Sequence, residues 1–311
     1  MRALQQIPRT VACGFLMGSA DVVPGVSGGT VALVLGIYRT LIGSVRSGSS
    51  AIGRLLRGDV AGFRRHLGDV EWVFLISLLV GIGAAVASLS HLIEDLLADH
   101  PVSMAGLFLG LVAGSVVVAW RLLTVRDGFR LAVLGASAAA TFAFLGLQER
   151  TATGDAAEGA QHSHLAFFGA GAVAICAMIL PGISGSFLLV MMGMYASVLG
   201  SVNERQFDYV AVFALGCAIG LGLFSQVLHW ALDRHYDTVM ALLIGLMVGS
   251  SRVLWPWPDG VDSTALGSPG DPVLTPVLLA VGAFVLVVAF DLIAQRLEHR
   301  TTADEVADLH V

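Results

Sequence analysis

Two short words in this chain carry residue types that could do chemistry. Pro24-Gly25-Val26-Ser27-Gly28-Gly29 and Pro181-Gly182-Ile183-Ser184-Gly185-Ser186 each interrupt a long apolar run, and each is trailed by Gly-x-Tyr, Gly36 and Tyr38 in one, Gly193 and Tyr195 in the other. Proline and glycine stop a helix. A helix that restarts inside an apolar medium offers N–H groups without intrahelical partners, together with the positive end of its dipole. That combination suits an anion. Gly25, Gly28 and Gly29 permit a tight reversal, Ser27 or Thr30 is placed to cap the departing helix, and Gly182, Ser184, Gly185 and Ser186 repeat the arrangement.

Three ionisable residues lie close to these words or at matching depth. Asp21 precedes Pro24 inside apolar sequence, where its counterpart is Met178. A carboxylate there is a candidate proton carrier or cation ligand, or else the cap of the turn. Arg252, near the expected external end of its helix, is placed to hold a phosphate at outer headgroup depth, and Arg39, just after Tyr38, is similarly placed on the cytoplasmic side. Snorkelling to the interface is the plain alternative for both. The words Gly25-Val26-Ser27-Gly28 and Gly182-Ile183-Ser184-Gly185 also fit the Gly-x-Ser-Gly of rhomboid proteases. Against that, a protease needs one nucleophile, and His91 and His229 fall towards helix ends.

The elements that must position these residues are membrane helices. Residues are 56% hydrophobic and 13% charged, where a soluble domain carries about 25% charge. Six apolar runs, 72–92, 103–123, 129–147, 209–232, 238–255 and 274–293, are each long enough to cross a core of about 30 Å as a helix. All 17 cationic residues are arginine, which excludes Schiff-base and Walker-type lysine chemistry, and no basic patch argues for nucleic acid. Cys13, Cys176 and Cys217 lie in apolar runs without metal-ligand spacing, so neither a metal nor a cofactor is expected.

The chain reads as a duplication, residues 1–150 and 151–311. Gly81 and Gly83 match Gly220 and Gly222, and Gly110, Gly114, Ser115 and Trp120 match Gly245, Gly249, Ser250 and Trp255. Arginines flank the first broken segment on both sides, Arg2 and Arg9 before it and Arg39, Arg46, Arg54 and Arg57 after it, so it enters from the cytoplasm and returns. Three crossings then invert the second half. The expectation is an all-α integral membrane protein of two inverted-topology repeats, each a re-entrant helical hairpin plus three transmembrane helices, with the paired breaks near the midplane. Close packing by small residues would also explain the breaks, but a paired, symmetric break is costly to keep without a ligand.

The words Asp21 to Thr30 and Ile179 to Ser186, with their trailing Gly-x-Tyr, resemble the bacterial polyprenyl-phosphate transporters, a family long catalogued as a domain of unknown function. The resemblance covers nearly the whole chain. It implies a multi-pass protein of the bacterial cytoplasmic membrane that returns undecaprenyl phosphate from the outer to the inner leaflet for reuse. Its partners would be that lipid and the surrounding membrane lipids, and because carrying an anion inward costs about 2.3 kcal/mol per charge per 100 mV, net uptake needs a coupled proton or sodium ion, neutralisation by a proton, or a strong sink on the cytoplasmic side. Ser186 and Phe187 stand where the first copy has Gly29 and Thr30, so the two copies are not equivalent. Carriage of a small anion would use the same helix starts, and an intramembrane serine hydrolase would use Ser27 or Ser184.

Overall fold

The computed structural model describes residues 2–21, 28–148, 163–181, 185, 188–189, 192–260 and 266–308. Among these the regular elements are helices: α1 (Arg2–Asp21), α2 (Gly28–Val34), α3 (Tyr38–Leu56), α4 (Val60–Gly68), α5 (Trp72–Asp99), α6 (Pro101–Leu122), α7 (Gly128–Gln148), α8 (His164–Ile179), α9 (Tyr195–Asn203), α10 (Phe207–Arg234), α11 (Tyr236–Ser250) with a 3-10 turn Ser251–Leu254, and α12 (Leu274–Asp308). Six are long and apolar enough to cross a membrane, α5, α6, α7, α10, α11 with its turn, and α12. They coincide with the six apolar runs. Helix α8, with 16 residues, is about 24 Å long and falls short of a core of about 30 Å.

Burial sorts these helices into a centre and a rim. More than half of α6 and of the α11 span is buried, 56% of each, whereas the other four reach 22% at most. Met240, Leu243, Ile244 and Met247 of α11 are at most 1% exposed, while Leu79, Leu223, Val227 and Leu286 on the rim helices stand open. Lipid tails are as apolar as leucine, so burial alone does not draw such helices together. Close backbone approach does, and glycine supplies it.

The glycine contacts come in matched sets. A β-carbon on Gly14 would stand 2.1 Å from Leu78 O and one on Gly81 2.1 Å from Val11 O, locking α1 to α5. Gly171 meets Phe213 O at 2.3 Å and Gly216 meets Phe168 O at 2.1 Å, locking α8 to α10 in the same way. Gly110 of α6 lies against Ala280 O and Gly114 against Phe284 O of α12, just as Gly245 and Gly249 of α11 lie against Leu134 O and Ala138 O of α7. Each central helix therefore takes its partner from the far end of the other half of the chain. His100 and His235, the joints before the two central helices, share one backbone conformation, φ −137°, ψ 51° and φ −136°, ψ 44°.

These contacts correct the matching of α5 with α10. Gly81 corresponds to Gly216, one turn before Gly220, and both helices are 28 residues long. Gly222 packs on Ser49 of α3, whereas Gly83 faces open space, so that pair has no common role. Helix α1 starts at Arg2 and passes through Pro8.

After the first break the chain does not return as one helix. Helix α2 is seven residues long, and α3 leaves it at 119°. Ile37 N donates to Ala32 O and Gly36 N to Leu33 O, the crossed pair that closes a helix on a left-handed residue, and Gly36 has φ 71°. Met194 N donates to Leu189 O beside Gly193, φ 65°. Both Gly-x-Tyr words thus mark a sharp helix end, where a side chain on the glycine would be strained.

A pair of substitutions tests the interlock. Gly110→Ala drives a β-carbon into a backbone oxygen that cannot step aside, and is expected to cost about 1–3 kcal/mol. Gly135→Ala, with nothing within 4 Å, should be neutral or stabilising by up to about 1 kcal/mol through helix propensity. Thermal unfolding of the two variants in one detergent checks this.

Candidate functional site

The first break is bounded by a carboxylate. Asp21 ends α1 and Gly28 begins α2, and Asp21 Oδ1 accepts a hydrogen bond from Gly28 N at 2.6 Å. Pro24, Gly25 and Ser27 lie outside the described residues, as do Gly182, Ser184 and Ser186. Asp21 is exposed, while Gly28, Gly29 and Thr30 are buried. Asp21 thus caps Gly28 N, one of the two roles expected of it, while the cap expected of Ser27 lies outside the described residues.

The second break is built alike but without charge. Pro181 and Gly185 are buried. A β-carbon on Gly185 would stand 2.6 Å from Met178 Cγ and 2.7 Å from Ala174 O, and one on Gly28 would stand 2.6 Å from Asp21 Oδ2. Asp21 and Met178 therefore occupy corresponding seats, a carboxylate at one break and a thioether at the other.

Tyr38, which follows the far end of α2 from the first break, reaches the residues that lead into the second. Its side chain is 2% exposed, and its hydroxyl donates to Ile179 O at 3.1 Å, two residues before Pro181. Helix α2 also packs on α8. Tyr195, which trails the second break as Tyr38 trails the first, is 42% exposed. Sequence marked Tyr38 only as punctuation, because its partner is remote in the chain.

The two arginines are not brought to one cradle. Arg39 Nη2 meets Asp233 Oδ1 at 3.3 Å, its guanidinium lies 5.2 Å from the Tyr236 ring centroid, and His229 Nε2 is 3.1 Å from Asp233 Oδ2. Arg252 lies in the 3-10 turn with its guanidinium 4.8 Å from the Phe142 ring centroid and packed on Gly146, where a β-carbon would come within 2.7 Å of it. Helix α11, 15 residues or about 22 Å, separates the Tyr236 end from the Arg252 end. Asp233, His229 and Tyr236 are site neighbours that sequence reading missed. The His-x-x-x-Asp spacing at the end of a span was the available signal. Among the described residues no group of His, Cys, Asp and Glu is arranged to hold a metal.

A family model described as VCA0040-like, undecaprenyl phosphate translocase-like, matches residues 17–268. The chain belongs to this family. Within the translocase-like family, it is 41% identical over 261 residues to the polyprenyl-phosphate transporter of Vibrio cholerae serotype O1 (strain ATCC 39315 / El Tor Inaba N16961), covering 84% of this chain and 81% of that protein. It is 32% identical over 254 residues to the polyprenyl-phosphate transporter of Staphylococcus aureus (strain NCTC 8325 / PS 47), covering 78% of this chain and 84% of that one. No solved structure matches it. With six spanning helices and relatives named as transporters rather than enzymes, this translocase-like protein is a multi-pass bacterial membrane transporter.

Proposed function

We propose that this protein carries polyprenyl phosphate, undecaprenyl phosphate in particular, from the outer to the inner leaflet of the cytoplasmic membrane. The phosphate sits between the two Pro-Gly breaks, and residues 1–150 and 151–311 act as inverted repeats, each a re-entrant hairpin plus three spanning helices. The observation that carries the reading is the pair of relatives named polyprenyl-phosphate transporter, each aligned over more than three quarters of this chain. Supporting it physically are the matched glycine contacts of α6 with α12 and α11 with α7, which suit two bodies that rock about one axis. The Tyr38 bond to Ile179 and the packing of α2 on α8 couple the segment after the first break to the helix that leads into the second, which supports a shared site.

Asp21 gives the cycle its gate. In the resting arrangement its carboxylate occupies Gly28 N at the start of α2. A phosphate and a carboxylate repel one another and compete for the same donor, so a proton or sodium ion on Asp21 admits the phosphate and departs with it. That cation also offsets the charge moved against the membrane potential. Arg252 and Arg39, at opposite ends of α11, hold the headgroup on arrival and before release.

Purified protein tests this against carriage of a small anion. Polyprenyl phosphate should raise the melting temperature and be taken up from the outer leaflet of proteoliposomes, while phosphate and sulfate do neither. Protection by inorganic phosphate with no lipid uptake would overturn the reading. Gly146→Ala, which displaces the Arg252 guanidinium from Phe142 without touching the charge, should slow uptake about as much as Arg252→Ala, by roughly tenfold for a lost charge-assisted contact. Equal uptake by Gly146→Ala and the parent would remove Arg252 from the path.

A further inference from the structure

Beside the first break lies a cavity of about 480 Å³, within the range of about 300–1,000 Å³ of small-molecule sites. Its wall is made by α1, α2, α5, α6 and α12, with Thr30 and Val34 on one side, Phe108 and Val112 on another, and Leu286 and Phe290 at the rim. Among the described residues no charged side chain lines it. The serine hydroxyls that reach it are turned back on their own helices, Ser19 Oγ donating to Phe15 O at 2.7 Å and Ser115 Oγ to Leu111 O at 2.8 Å. Apart from the Thr30 hydroxyl the described wall asks nothing polar of an occupant, and without a cationic side chain it would reject a phosphate. Leu286 and Phe290 are 65% and 51% exposed, so the cavity reaches the lipid-facing side of α12.

The cavity begins where the headgroup site ends. Thr30 stands two residues after Gly28, the donor to Asp21, so a lipid phosphate at the break would leave its first carbons at the cavity mouth. Counting from the matched glycines Gly110 and Gly245, Val112 corresponds to Met247, whose longer side chain is fully buried. The first broken segment thus has an apolar chamber beside it, at a position where α6 carries the smaller residue.

We infer that this cavity is the seat of the phosphate-proximal isoprene units of the polyprenyl chain. The inference rests on the proposed function and adds to it a tail site that discriminates lipid phosphates by their chain. Polyprenyl phosphate is the occupant because the described wall is almost wholly apolar, because its Thr30 edge lies two residues from the start of α2 where the headgroup is proposed to sit, and because the relatives are named for that lipid.

Val112→Met, which copies the residue α11 already carries, fills the chamber with little demand on the fold. In nanodiscs, farnesyl phosphate and farnesol should both protect the parent thermally, and the variant should need about tenfold more of either for the same protection. Equal protection of parent and variant overturns the inference, as does protection by phosphatidylglycerol equal to that by farnesol, which would make the chamber an ordinary acyl-chain seat. A polyprenyl phosphate with a photoreactive group in its first isoprene units, used on the parent protein, keeps the test open if the variant does not fold. Adducts on α6 around Val112, competed by unlabelled polyprenyl phosphate, support the seat, and adducts confined to the outer face of α12 refute it. Uptake of polyprenyl phosphate with an unchanged KM in Val112→Met would sink the tail site alone. Failure of the parent to take up that lipid at all would sink the proposed function first.

Discussion

Asp21→Asn slows inward transport of polyprenyl phosphate by at least tenfold and flattens its dependence on pH, while the melting temperature stays near that of the parent. An amide oxygen still accepts from Gly28 N, so the cap on α2 survives and the fold with it. What is lost is the negative charge and the site for a proton or cation. Hydrogen bonds to charged groups contribute about 1.5–3 kcal/mol, and tenfold corresponds to about 1.4 kcal/mol. Asp21→Ala removes the acceptor as well and should cost a further ~1 kcal/mol of stability. The two variants separate the cap, which the structure shows, from the proposed coupling charge. Transport by Asp21→Asn at the parental rate and pH profile would leave Asp21 as a cap alone.

Gly185→Ala has the second large effect, at the break that carries no charge. The added β-carbon would meet Met178 Cγ at 2.6 Å and Ala174 O at 2.7 Å. The methionine can swing aside, but the carbonyl is part of α8 and cannot. The segment must therefore lift away from α8, at about 1–3 kcal/mol, and the distance between the two breaks changes with it. Transport should fall by more than tenfold. Gly169→Ala, on the same helix with nothing within 4 Å, is the control and should transport normally. If both variants transport alike, the packing of the second break has no part in the cycle.

What the sequence made legible follows from which forces are local. The six spans were readable because a run of apolar residues long enough to cross lipid has few other uses, and both Gly-x-Tyr words fell at sharp helix ends because glycine there supplies a left-handed residue. The mismatch of Gly81 with Gly220 arose because Gly216 and Gly220 sit one turn apart on the same helix face, and only the carbonyl each one meets, Phe168 O or Ala172, tells them apart. Asp21 was readable as an intramembrane carboxylate with two possible roles, and Gly28 N showed that capping is one of them. Tyr38 to Ile179 and Arg39 to Asp233 join residues remote in the chain and left no trace in its periodicity. The chamber beside Thr30 is lined by residues from five helices, and that Val112 there corresponds to Met247 has no meaning until the glycines of α6 and α11 fix which residues match.

One lipid phosphate held by both broken segments at once is the idea from which the gate, the two arginine stations and the tail seat all follow. Its most direct test is alkylation of Ser27→Cys and Ser184→Cys, made singly in protein whose Cys13, Cys176 and Cys217 are replaced by alanine, with an impermeant maleimide added to either side of the membrane. Saturating polyprenyl phosphate should slow labelling at both positions, and inorganic phosphate at neither. Labelling of both at the rate of a fully exposed thiol with the lipid present, or protection of one position alone, would contradict a shared site.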